Sequence, residues 1–68
     1  MEVREVRGVK LGGVFVGRLE RVVSTDGSAV WFAYSSPGLS GGVCVGALPG
    51  SSSESELVSF VSEVFAHV

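Results

Sequence analysis

The last eighteen residues, Ser51 to Val68, constrain this chain more than any other stretch, because their apolar spacing fits one kind of element only. Leu57, Val61, Val64 and Val68 recur at three- and four-residue steps, flanked by Val58, Phe60 and Phe65. At about 100° per residue these side chains share roughly 160° of arc, the signature of an amphipathic helix. Glu56, Ser59, Ser62, Glu63, Ala66 and His67 take the other side. Ser53 followed three residues later by Glu56 predicts a capping box, and His67 at the far end suits the helix dipole. A helix with so wide an apolar face must lie on something, and the residues before it read as strands.

Glu2 to Val9 mixes valines with alternating charge, the pattern of a short edge strand protected from further pairing. Gly12-Gly13 offers a tight turn, since glycine accepts the positive φ that hairpins require. Val14 to Val23 is the longest strand candidate, with Phe15, Leu19 and Val23 on one face and Val14, Val16, Arg18, Glu20 and Val22 on the other. Gly17 either marks a bulge or leaves room for a bulky side chain packed across it. Valines on both faces mean that a bulge shifts the phase or that the second face is also covered.

Asp26-Gly27 is a hairpin signal, and Ala29 to Ser35 follows as a strand in which Val30, Phe32 and Tyr34 alternate with Trp31 and Ala33. Ser36-Pro37-Gly38 turns the chain again. Gly42 to Leu48 reads as a last strand, ended by Pro49-Gly50. Consecutive hairpins make an antiparallel meander of three to four strands. The fold class is therefore α+β, β-β-β-β-α, with one C-terminal amphipathic helix packed on one face, or β-β-β-α if the first segment is irregular. Residues 1–68 form one domain, and Leu57, Val61, Val64, Phe65 and Val68 are expected to pack on Phe15, Leu19, Phe32 and Tyr34.

At 68 residues with 46% hydrophobic side chains, the chain carries more apolar surface than one helix can shelter. Cys44 is the lone cysteine and His67 the lone histidine, so neither a disulfide framework nor a structural metal supplies the missing stability. Association is the remaining route. All five basic residues lie in the first 21 positions, and from Gly27 to Ser53 there is no charge at all. The turns at Ser35 to Gly38 and Gly41-Gly42 break that run into pieces far too short to span a membrane. The N-terminus lacks the apolar core of a signal peptide, and a single cysteine fits a reducing compartment, so a cytoplasmic protein is expected.

Gly38-Leu39-Ser40-Gly41-Gly42 matches the G-x-S-x-G pattern of a nucleophile elbow. A strand follows instead of a helix, and the chain is too small for that scaffold. A hairpin loop accounts for it better, and the loop also lacks the Gly-Lys-Ser/Thr ending of a phosphate cradle. Cys44 between two valines is a small apolar filler. No carboxylate pair suggests acid/base work, and no cofactor is implied.

The expectation is a non-enzymatic protein-interaction module, a homodimer or the subunit of a larger partner. Its contact would be the open sheet face: Val14, Val16 and Val22, with Trp31 if that face is the outer one, and Arg18 and Glu20 on the rim. The alternative is a nucleic-acid-binding domain in which Arg4, Arg7, Lys10, Arg18 and Arg21 meet phosphates beside Trp31, Phe32 and Tyr34. Against it stands the sequence pI near 5.1, where a compact nucleic-acid binder is usually basic.

Overall fold

The computed structural model describes residues 1–38 and 40–66. Four strands form one antiparallel sheet in sequential order: β1 (Glu2–Leu11), β2 (Val14–Val23), β3 (Ala29–Ser35) and β4 (Val43–Pro49). A helix, α1 (Glu54–Val64), follows. The first segment is a full strand, which settles the four-strand form of the meander. Gly12 and Gly13, with φ of 57° and 80°, close the β1–β2 hairpin in two residues, the backbone that matches the twist of the flanking strands. At the β2–β3 turn Asp26 accepts from the Ser28 amide (3.0 Å) and hydroxyl (2.7 Å). These bonds hold the Asp26 carboxyl below its usual range, the backbone bond contributing most.

α1 begins as its sequence predicts. The Ser53 hydroxyl accepts from the Glu56 amide (3.2 Å) and the Glu56 carboxylate accepts from the Ser53 amide (2.9 Å), so two donors that a helix start leaves unpaired are satisfied. The amide bond from Ser53 also lowers the Glu56 carboxyl below its ordinary value. His67 and Val68, expected at the helix end, lie outside the described residues.

The helix covers one face of the sheet, where Val9, Leu19, Trp31 and Ala33 meet Leu57 and Phe65 in a buried core edged by Val16, Leu48, Phe60, Val61 and Val64. Its backbone runs alongside β4 more than beside any other strand. Glycine permits it: a Cβ at Gly46 would lie 3.2 Å from both Phe60 and Val64. Val58, at the margin of the apolar arc, stays 64% exposed.

The face assignments differ from the sequence expectation in two places. Val9 pairs with Gly17 while Lys10 pairs with Phe15, so Val16 is the extra residue of a β-bulge. A bulge changes which face the residues before it occupy. Val16 therefore joins the core, and Phe15 goes to the opposite face, where its ring fills the space that a side chain at Gly8 would need. In β3 it is Trp31 and Ala33 that lie under the helix. Phe32 and Tyr34, expected there, alternate to the uncovered side, opposite Glu20 and Arg18.

Candidate functional site: the uncovered sheet face

Cross-strand register assembles the outer face in rows. Val3, Val22, Val30 and Pro49 align in one row, and Val6, Glu20, Phe32 and Ala47 in the next. A third contains Gly8, Arg18, Tyr34 and Cys44. Val3 and Val6 are about half exposed, at 48% and 47%. Val22, Val30, Phe32 and Tyr34 are part-buried by neighbours within the sheet. Among the described residues no helix covers this side.

The ionised pair in the middle of these rows is closed on itself. Arg18 donates through Nε to Glu20 (2.7 Å) and through NH1 to the Gly41 carbonyl (2.6 Å), and its guanidinium stacks 4.4 Å above the Tyr34 ring. Its side chain retains only 7% of its exposure and that of Glu20 only 18%. The loop after β3 makes this possible by folding back: Ser36 donates its amide to Val16 (3.2 Å) and its hydroxyl to Ser40 (3.0 Å), which sets Gly41 over the arginine. Gly41, at the end of the G-x-S-x-G pattern, thus works as a lid on Arg18, and Leu39 lies outside the described residues. Charge-assisted bonds and aromatic stacking satisfy the guanidinium in place of water, so the central ion pair of this face is already neutralised, and Lys10, opposite Phe15, is the exposed charge at its margin.

Of the six residues expected to make partner contacts, Arg18, Glu20 and Val22 lie on this face. Trp31 is 2% exposed beneath the helix, and Val16 packs against the same core. Val14 stands at the tip of the first hairpin, opposite Leu11 and 63% exposed. Val3, Val6, Val30 and Phe32 were missed. Period-two alternation within β3 groups Val30 with Phe32, but the sequence reading set Phe32 under the helix, and only the pairing of β1 brings Val3 and Val6 beside them.

The five basic residues do not share a surface. Arg7 bonds Glu5 (2.6 Å) and Glu54 (2.8 Å) and lies 5.1 Å from the Trp31 ring on the helix side. Glu5 first, then Glu54, holds its guanidinium above the ordinary range. Arg21 donates to the Gly50 carbonyl (3.1 Å), Arg4 pairs with Glu2, and Arg18 is enclosed as described. Lys10 is exposed on β1.

A groove of about 370 Å³ runs between β1 and α1, floored by Val9, Leu19, Leu57 and Val61. Among the described residues no three His, Cys, Asp or Glu side chains gather where they could hold a metal ion, and no helix is long and apolar enough to cross a membrane. No protein-family model, curated protein or solved structure matches this chain.

Proposed function

We propose that this chain is a non-enzymatic protein-interaction module of the cytoplasm that binds through its uncovered sheet face. One observation carries the proposal: a face rich in Val3, Val6, Val22, Val30 and Phe32 whose charged pair, Arg18 with Glu20, is already neutralised within the chain. Such a surface has little to offer a charged ligand and gains by leaving water against another apolar surface. The core beneath the helix is small, so burial of the second face adds stability that a domain of this size otherwise lacks.

A photo-crosslinking phenylalanine analogue placed at Phe32 or Val6, and separately at Glu63 on the helix, tests this in cells. Defined protein adducts from positions 32 and 6, without their counterpart from 63, support the face as the contact. Equal labelling from all three sites refutes it. Nucleic-acid binding finds little to use, because Arg7, Arg18 and Arg21 are committed to carboxylates or carbonyls on different faces. A salt-sensitive mobility shift with mixed DNA and RNA, abolished by Arg4→Glu with Lys10→Glu, would reinstate it.

A further inference from the structure

The two edges of the sheet are built differently. β1 carries Glu2, Arg4, Glu5, Arg7 and Lys10 along its length, a density of charge that discourages a further strand. β4 carries none, and its Val43 and Val45 are 69% and 41% exposed. Among the described residues β4 pairs only with β3, so its outer amides and carbonyls meet no strand there, and the Gly46 carbonyl has only the Cys44 thiol, 3.6 Å away. Pro49 ends the pairable run: it has no N–H, and its carbonyl already accepts from the Ser52 amide (3.0 Å) and hydroxyl (2.6 Å). Val43 to Leu48 remains open.

We propose that this edge pairs with β4 of a second copy of the chain, antiparallel about a two-fold axis, joining two four-stranded sheets into one continuous sheet. The proposal rests on reading the chain as an interaction module and specifies one partner and how it docks. Self-pairing is favoured by charge and by register. A strand like β1 would lay its charges beside Val43 and Val45 with no counter-charge to meet them, whereas β4 meets its own copy without a charge on either side.

The bulge in β4 allows a register centred on it. Ala33 pairs with Gly46 and Tyr34 with Cys44, so Val45 is an extra residue. Cys44 and Ala47 consequently share the outer face, opposite Tyr34 and Phe32, while Val43 and Leu48 share the helix side, opposite Ser35 and Trp31. A two-fold axis at the Val45–Gly46 step then sets Cys44 against Ala47 of the partner subunit and Val43 against Leu48 of the partner subunit, like face against like face. In a strand without a bulge, an axis between two residues would oppose side chains from opposite faces. The resulting contact is isologous and closes at two copies. It also doubles the apolar outer face.

Sedimentation of the full chain over a dilution series, for wild type, Val45→Lys and Val6→Lys, tests the edge against the face. The expected result is a wild-type dimer that Val45→Lys converts to a monomer with unchanged circular dichroism and that Val6→Lys leaves intact. Mild copper–phenanthroline oxidation provides a second readout that does not depend on a charged variant folding. Ala47→Cys should yield a disulfide-linked dimer through Cys44 of the other copy, whereas wild type should not crosslink. A wild-type monomer at every concentration overturns the proposal and leaves other protein partners of the outer face to the photo-crosslinking experiment. A dimer that survives Val45→Lys but is lost in Val6→Lys, with no crosslink in Ala47→Cys, overturns the edge and assigns self-association to the face.

Discussion

Phe65 lies directly over Gly17. A Cβ at position 17 would stand 2.7 Å from the Phe65 ring and closer still to the Tyr34 carbonyl oxygen, separations at which real atoms do not coexist. The glycine follows the extra residue of the β2 bulge, so the absent side chain both accommodates the twist of the strand and opens the hollow in which the fully buried Phe65 ring sits.

Gly17→Ala should therefore destabilise the fold by about 3 kcal/mol, the upper part of the usual cost of overpacking. Urea denaturation followed by circular dichroism measures it. Adding Phe65→Leu should recover only part of the loss, because the clash with the Tyr34 carbonyl is with backbone and persists whatever occupies position 65. Full recovery would mean that the aromatic ring alone sets the requirement for glycine.

Arg18 makes a second strong demand. Replacing it with Ala strips Glu20 of its counter-ion inside a nearly closed site and leaves the Gly41 carbonyl without its donor. Breaking such a pair costs about 3 kcal/mol because a charge is left buried alone. Arg18→Met combined with Glu20→Leu removes both charges and keeps the volume, so the double variant should regain most of that stability in the same urea measurement. If the two single substitutions simply add, the pair is not acting as one unit.

Element identity was legible in the sequence because each element announces itself locally: alternation in β2 and β3, paired glycines at the first turn, Ser53 with Glu56 at the helix start. Which face each strand buries was less accessible. Gly17 signalled a possible bulge, but the residue that bulges is fixed by pairing with β1, and the phase of Phe15 and Val16 depends on that choice. Phe32 and Tyr34 misled through size. A face of large aromatics suggests a core, yet the helix needs small residues beneath it, and Ala33 and Gly46 supply them while Trp31 fills the space between. The outer face was legible only in part, since Arg18, Glu20 and Val22 share one strand whereas Val3 and Val6 join them from another. The lid over Arg18 was illegible, because nothing local couples Gly41 to a side chain in β2.

Acid should weaken the fold through two carboxylates. Glu56 and Asp26 are both held below their ordinary range by backbone amides, from Ser53 and Ser28 respectively. A group whose folded pKa is depressed contributes stability that is present above its unfolded value and lost as pH falls through the folded one. The urea midpoint should accordingly be flat near neutrality and decline as the pH drops below about 4, the ordinary carboxylate range. Asp26→Asn with Glu56→Gln retains hydrogen-bond acceptors but no longer titrates, and should make that decline shallower. An unchanged acid limb would place the sensitivity on other carboxylates.

Two adjacent helix positions give opposite expectations and so test the orientation of α1 on the sheet. Leu57 is 4% exposed in the core with Trp31, whereas Val58, one residue on, is 64% exposed. A carboxylate at 57 would have to ionise without a partner or remain protonated, and either burden exceeds what a domain of this size can absorb. Leu57→Asp should abolish cooperative unfolding and expose Trp31, giving red-shifted emission that acrylamide quenches readily. Val58→Asp should leave both readouts as they are and alter stability by no more than about 0.5 kcal/mol, as expected for a surface change. Val61, part-buried beside the groove at β1, should fall between them when replaced by Asp. The reverse order, with position 58 intolerant and 57 tolerant, would require the helix to be turned by about 100° about its axis, which would take Leu57 off Trp31 and bring a different side chain onto the sheet.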